Sequence, residues 1–334
     1  MNAEKMREES LPLVEARGLT KHFPVQRMFL IGKQEVVHAV DHITLEIQAG
    51  ETLGLVGESG CGKSTTGRLL LGLMPPTEGS VTFQGRDIFT IPAPERHRLR
   101  AKMQIIFQDP FASLNPRKTI RQILAKPFRI HSPMDRQREE ATIMELLETV
   151  GLSPPRLYID RNPHEFSGGQ RQRIGIARAL ALKPSFVVAD EPVSALDLSV
   201  RAQILKLMKT LQRDFNLTYL FITHDLAVVR SVCSRVAVMY LGKLVEVAPT
   251  AALFAKRMHP YTEALFSATP LPNPRATRAR ERIVLSGDIP SPLSPPSGCR
   301  FHTRCPRKMD RCEREEPPIL SLGDEHTVAC HLYT

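Results

Sequence analysis

Between residues 12 and 49 the apolar positions come in short clusters set among polar ones: Leu13 and Val14, then Val36, Val37 and Val40, then Ile43, Leu45 and Ile47. Patterning of this kind predicts antiparallel strands, joined here by a long hairpin loop around Met28 to Gln34. Thr52 to Val56 is an apolar run that leads straight into glycines, as expected of a buried strand. Ser64 to Met74 has helical character and stops before Pro75-Pro76. A further strand is predicted over Ser80 to Phe83, with a turn at Gln84-Gly85.

Residues 109 to 165 differ in character. Thr119 to Ile130 and Arg136 to Val150 carry apolar positions at helical spacing, the second closed by Gly151 and Pro154-Pro155, and together they predict a helical insert. After it the chain alternates: helix (Gly169 to Leu182), buried strand (Phe186 to Ala189), helix (Val200 to Phe215), strand (Thr218 to Thr223), helix (Leu226 to Cys233), then strands to Val247. Strands alternating with helices predict an α/β fold with a parallel sheet covered on both faces. Seven prolines follow (Pro270, Pro272, Pro274, Pro290, Pro292, Pro295 and Pro296), and the segment from Pro270 to Gly298 reads as extended linker. No internal repeat is visible.

Composition narrows the function classes. The 334 residues are 42% hydrophobic and 24% charged, ordinary values for a globular chain. No apolar run approaches the roughly 20 residues a membrane-crossing helix needs. The N-terminus, with Glu4, Glu8 and Glu9, has no signal-peptide core, so a cytoplasmic location is expected. A net charge of +10 is compatible with nucleic acid or an anionic membrane surface. Much of the excess lies between Arg275 and Arg311, without interleaved aromatics, and there is no Trp, so a nucleotide site plus a solvated surface accounts for it as well.

Gly57-Glu58-Ser59-Gly60-Cys61-Gly62-Lys63-Ser64 fits the pattern G-x-x-x-x-G-K-[ST], with Thr65 continuing the set. Its glycines let successive backbone N–H groups turn toward phosphate oxygens, and the following helix adds its positive end. Lys63 would reach the β and γ phosphates of ATP, and the Ser64 hydroxyl would ligate Mg²⁺. Asp190-Glu191 ends the apolar run Phe186 to Ala189, at the edge of a parallel sheet where ligands bind. Alone the pair would read as a solvated acidic turn. Beside a phosphate loop, Asp190 reads as a second Mg²⁺ ligand and Glu191 as acceptor of a proton from attacking water. At Phe166-Ser167-Gly168-Gly169-Gln170 another Gly-rich segment opens a helix, a second anion-binding end. One triphosphate does not need two cradles in one chain. In a head-to-tail dimer each such segment could close over the γ-phosphate held by the other subunit.

These motifs, in this order, resemble the ATP-binding cassette family over roughly residues 12 to 255. The resemblance implies a nucleotide-binding domain with a P-loop parallel core sheet, an antiparallel β subdomain and a helical subdomain at about 109–165. It implies that Gln108, in Ile105-Ile106-Phe107-Gln108-Asp109-Pro110, senses Mg²⁺ and faces a membrane partner. It implies that Asp197, in Ser194-Ala195-Leu196-Asp197, crosses a dimer interface and that His224 contacts the γ-phosphate. Phe23 lies where an aromatic stacks on adenine; many relatives have Tyr there, but only the ring face is needed.

Gln108 to Pro116, Glu191 to Asp197, His259-Pro260-Tyr261-Thr262 and the tail Gly287 to Cys305 resemble more narrowly the second ATPase of dipeptide and oligopeptide importers. That branch implies a cassette at 1–255 and a peptide-transporter-type extension at 256–334. It implies a second ATPase subunit, two membrane permeases and a substrate-binding protein as partners, at the cytoplasmic face of the inner membrane, with no nucleic acid. Relatives in the branch import nickel, glutathione or other small solutes, so the solute stays open. A soluble cassette ATPase acting on DNA or ribosomes is the other class, but it usually carries two cassettes, coiled coils or inserted nucleic-acid domains.

Cys299, Cys305, Cys312 and Cys330 fall in the last 36 residues. Disulfides are improbable in a cytoplasmic protein, so four clustered thiols point to a metal. The tail lacks the C-x₂₋₄-C knuckle usual for zinc, and its looser spacing suits a 4Fe–4S cluster. Tails like this one are associated with such a cluster in the importer branch. The order of preference is iron–sulfur, zinc, then unligated thiols, with a structural staple as the role and a regulatory module as its rival. Cys61 and Cys233 read as bystanders to this set.

Overall fold

The computed structural model describes residues 11–25, 35–268, 283–323 and 325–334. The hairpin loop expected at 28–34, the acidic N-terminus, Pro270, Pro272, Pro274 and Arg275 lie outside the described residues.

Two sheets organise the chain. In the first, β1 (Val14–Pro24) pairs antiparallel with β2 (Val36–Ile47) and with β4 (Glu78–Phe83), which turns at Gln84-Gly85 into β5 (Arg86–Asp87). In the second, β6 (Met103–Ile106), β7 (Phe186–Asp190), β8 (Thr218–Ile222), β3 (Thr52–Val56) and β9 (Arg235–Tyr240) run parallel in that spatial order. The hairpin from β9 to β10 (Lys243–Pro249) reverses direction at the sheet's far side.

The continuous apolar runs of the sequence become strands with two buried faces. Along β7, Val187 and Ala189 enter a core shared with the helices, while Phe186 and Val188 enter a second core under the antiparallel sheet. Strand β8 divides in the same way, Tyr219 and Phe221 against Leu220 and Ile222. A strand buried on both faces has no polar side to alternate with, hence the unbroken hydrophobic pattern.

Helix α1 (Lys63–Leu70) ends earlier than its sequence signal. Gly72 adopts φ +62°, and the Gly72 and Leu73 amides close back onto the Leu69 and Arg68 carbonyls, both at 2.9 Å. This is the glycine-terminated cap that stops a helix. The segment α2 (Ala93–Lys102) buries none of its residues, and β6 is only four residues long. Neither leaves a periodic apolar signal, which is why the sequence pattern misses both. The insert contains α3 (Ile120–His131), which begins in a Thr119–Gln122 capping box, and α4 (Arg136–Thr149), capped by Asp135. The remaining α-helices among the described residues are α5 (Gly168–Leu180), α6 (Leu198–Phe215), α7 (Leu226–Val232), α8 (Thr250–Ala255), α9 (Pro260–Ser267) and the one-turn α10 (Arg311–Arg314) of the tail.

The tail also joins the two sheets directly. Residues 283–298 contain no strand or helix, as the prolines predict, but the Pro292 carbonyl accepts the His38 amide of β2 at 2.9 Å. Farther on, β11 (Ile319–Ser321) and β12 (Thr327–Ala329) extend the core sheet, with Val328 opposite Glu246 of β10. An edge strand leaves a row of N–H and C=O groups unpaired, and β12 pairs part of it. Buried Glu246 accepts the Met258 and His259 amides at 2.7 and 3.0 Å and lies 2.8 Å from the His326 ring.

Phe301 completes this join. It packs edge-on against Tyr240 and tilted against Tyr261 and His259, with ring centroids 5.2–5.5 Å apart. His259 is buried and its Nδ1 accepts the Tyr261 amide. Burial lowers its pKa from 6.5 to about 3, with Arg307 adding to the shift. Between those values the unfolded chain binds a proton that the folded chain refuses. This contribution to stability is complete above pH 6.5 and is lost as pH falls toward 3, with a slope of about 1.4 kcal/mol per pH unit. His259→Asn should flatten the pH dependence of unfolding free energy between pH 6 and 4 by about that slope, read from urea titrations. An unchanged slope would show that His259 titrates normally in the fold.

Candidate functional site

Strand β3 hands the chain to a loop whose glycines are set by close packing. Gly62 adopts φ +109°, and a side-chain carbon there would lie 2.1 Å from the Ala39 carbonyl oxygen of β2. Lys63 folds its ammonium back across the loop, donating to the Gly57 and Glu58 carbonyls, each at 2.8 Å. Helix α1 starts from Gly62 with no side-chain cap and no acidic residue in its first turn. Its first amides and its dipole are thus available to an anion. Cys61 is buried in the loop, and burial pushes its thiol pKa up.

The carboxyl ends of β7 and β8 bring the acidic and polar residues to the same place. The Ser64 hydroxyl donates to Asp190 Oδ1 at 2.9 Å. Burial raises the Asp190 pKa above the usual carboxylate range, against the opposing pull of Ser64 and then Arg68. A carboxylate made costly by burial gains from any cation placed beside it. Glu191 follows at φ +45°, an uncommon setting for a residue with a side chain. Its amide donates to the Ile222 carbonyl at 3.0 Å, one step beyond the last β7–β8 pair. Its carboxylate accepts from Gln108 Nε2 at 3.0 Å and lies 3.2 Å from His224 Nδ1. The structure therefore unites Gln108, Glu191 and His224 beside the Ser64–Asp190 pair.

Other expected site residues lie apart from this group. Ser167 caps α5 through a reciprocal bond with Gln170 and is exposed, as are Gly168 and Asp197. Gly168 and Gly169 face Leu196 and Val200, so the Gly-rich helix start and the Asp197 turn form one solvent-facing surface. Phe23 is half-buried on β1 opposite Val37, two residues from the Ala39 that lines the phosphate loop. The Lys21 ammonium stands 5.3 Å from its ring centroid.

Comparisons with known proteins supply the family. Residues 40–194 match the ABC transporter family, and residues 245–312 match the oligopeptide/dipeptide transporter C-terminal region. The putative oligopeptide transport ATP-binding protein YkfD of Bacillus subtilis is 51% identical over 97% of this chain and 96% of its own length. The oligopeptide transport ATP-binding protein AppF of the same organism is 50% identical over 96% of this chain and 98% of its own. This chain is an ABC transporter ATP-binding protein. Among solved structures, the dimeric cassette MJ0796 bound to ADP and Pi superposes with a TM-score of 0.62 at 29% identity, covering 71% of this chain and 98% of that one.

The cassette has further contacts at its nucleotide edge that the motifs do not announce. The Tyr261 hydroxyl accepts the Glu58 amide at 2.9 Å, and Arg304 of the tail forks onto the Glu58 carboxylate. The one available signal for Arg304 was its place next to Cys305, in a segment read for its charge, its thiols and its resemblance to the importer branch. The four cysteines come from separate segments, and the Cys299 amide donates to the Cys312 carbonyl at 2.8 Å. Burial pushes the Cys299 thiol up to about 12, with added contributions from Cys312, Cys330 and Cys305.

Packing separates two glycines of the cassette's loop. Gly62 has no room for a side chain, whereas Gly60, at φ +80°, has nothing within 4 Å of one. Gly60→Ala should cost about 1–2 kcal/mol from backbone strain alone. Gly62→Ala should cost at least about 3 kcal/mol, since a backbone carbonyl must also move. Chemical denaturation of both variants tests the order, and equal losses would remove the packing argument.

Proposed function

We propose that this chain is the ATP-hydrolysing subunit of a peptide importer, powering transport through separate membrane subunits. The observation that carries this reading is the convergence of Ser64–Asp190 and Gln108–Glu191–His224 on the exit of a phosphate loop. The loop amides, with Gly57 through Thr65, would hold the triphosphate, and Lys63 would exchange its carbonyl partners for phosphate oxygens. The donor set fits Mg²⁺: a hydroxyl on a buried carboxylate, with the Gln108 amide close by. Ser64, Asp190 and Gln108 would hold the ion, which when bound neutralises phosphate charge. Glu191 accepts a proton from water as its oxygen bonds to the γ-phosphorus and the bond to ADP breaks; His224 contacts the γ-phosphate. Phe23 stacks on adenine.

Partners follow from exposed surfaces. Ser167, Gly168 and Asp197 face solvent together, as expected if a second cassette subunit supplies the other half of each site, with Gly169 and Gln170 completing the segment. Phe107 and Phe111, 40% and 51% exposed, flank Gln108 and suit docking to permease subunits. No described helix is long and apolar enough to cross a membrane, which fits attachment at the cytoplasmic face through those permeases. A substrate-binding protein completes the system. The relatives' names favour peptides over nickel or glutathione, and over a load of nucleic acid or ribosome. The cassette is taken as 1–255 and the extension as 256–334.

Glu191→Gln should keep ATP binding while lowering turnover about 10²- to 10⁴-fold, as loss of a general base does. Phosphate release and nucleotide titration on one preparation give both readouts. Near-normal turnover would remove Glu191 from the role.

For the tail we propose a 4Fe–4S cluster on Cys299, Cys305, Cys312 and Cys330. Four thiolates around one zinc, at about 2.3 Å from the metal, would sit roughly 3.8 Å apart. Among the described residues the one trio of potential ligand atoms within 4.8 Å of one another is His22, His38 and Asp41. The loose spacing of the four cysteines along the sequence, without a C-x₂₋₄-C knuckle, is what supports a cluster over a single zinc. In that trio, Asp41 is already paired with Arg300 and Lys243. Protein purified without oxygen should carry about four iron and four sulfide per chain, lost in Cys312→Ser. Zinc alone at one per chain would favour the second option.

A further inference from the structure

The five residues between Cys299 and Cys305 reach back to the phosphate loop. Arg304 donates to both carboxylate oxygens of Glu58, at 2.8 and 3.2 Å, with its own side chain only 9% exposed. Glu58 is the second residue of the loop, and its main chain is held on both sides. Its amide goes to the Tyr261 hydroxyl at 2.9 Å, and its carbonyl accepts Lys63 Nζ at 2.8 Å. Arg300 grips the other limb indirectly. It donates to the Leu241 carbonyl and to Asp41, and the next residue, Gly242, donates its amide to the Cys61 carbonyl at 2.9 Å. Phe301 anchors the segment between these arginines against Tyr240 and Tyr261. One short stretch of tail thus fixes the loop at Glu58 and, through Gly242, at Cys61.

We infer that residues 299–305 clamp the phosphate loop, with Arg304 acting through Glu58 as a positioning residue for ATP binding. A phosphate cradle works by holding its amides in place before the ligand arrives, so freedom left in the loop is subtracted from affinity. Without Arg304, the half-buried Glu58 carboxylate would also lose its counter-charge within the anion site itself. Arginine suits this position because its planar fork fixes the carboxylate in orientation as well as in charge.

The inference rests on the ATP-binding reading above, and one titration separates the two. The full chain with Mg²⁺ is titrated with ATP by calorimetry, and thermal unfolding checks that each variant folds. Arg304→Ala should raise Kd about tenfold. In Arg304→Ala/Glu58→Gln the Kd should be no higher than in Arg304→Ala, because both changes break one link. Arg304→Lys keeps the charge and loses the fork; an intermediate Kd is expected, and it serves where the alanine variant does not fold. A folded Arg304→Ala or Arg304→Lys with wild-type Kd overturns the clamp, and so does a double variant that binds more weakly than Arg304→Ala. Wild-type protein that does not bind ATP overturns the clamp and the transport reading together.

Discussion

Strands β7 and β8 lie in parallel register, Ala189 opposite Phe221 and Asp190 opposite Ile222, and β3 continues the ladder with Leu55 opposite Ile222. These ladders set the height at which three segments leave the sheet: β3 into Gly57, β7 into Glu191, β8 into Thr223 and His224. Side chains alternate with a period of two, so a slip of one residue along β7 would turn Asp190 away from Ser64. What prevents the slip is apolar. Phe186 and Val188 fill one core and Val187 and Ala189 the other, and exchanging them would force residues of different volume into two close-packed layers. The polar geometry of the nucleotide edge is therefore secured by contacts that hold no polar group.

The same ladder explains the backbone at Glu191. Its amide continues the hydrogen bonding to Ile222 while its carbonyl accepts the Ser194 amide and hydroxyl, at 3.2 and 3.0 Å. A strand bond on one side and a turn on the other leave the residue at positive φ, at a cost on the order of 1–3 kcal/mol. In return the carboxylate reaches both Gln108 and His224, from two other segments of the chain. Rigid parallel strands followed by a sharp turn can present one carboxylate to two loops, and a carboxylate farther along a flexible loop could not.

Much of this is legible in the sequence alone. The doubly buried strands announced themselves as unbroken apolar runs, and the phosphate loop, Asp190-Glu191 and the Ser167–Gln170 cap are local patterns whose meaning depends on a few adjacent residues. The invisible parts share a different physics. Helix α2 buries nothing, so no stripe marks it. Strand β11 has Ile319 59% exposed, and its Ile-Leu-Ser run does not alternate apolar with polar residues, since it is defined by pairing with β12. Arg304 and Glu58 are 246 positions apart, and no local pattern encodes a bond across that distance.

The Arg304–Glu58 pair also bears on what the tail contributes. Taking two charges out of water costs several kcal/mol per ion, and their attraction often does no more than offset it. An apolar contact of similar size, such as Phe301 on Tyr240, stabilises the join without that cost. If the tail only had to stay attached, its aromatic cluster and the β10–β12 pairing would suffice. A bidentate ion pair supplies what those contacts cannot, a fixed direction for one carboxylate and, through it, for the loop that carries it. Its placement on the phosphate loop, one residue from Cys305, ties the geometry of the nucleotide site to the folding of the cysteine-bearing tail.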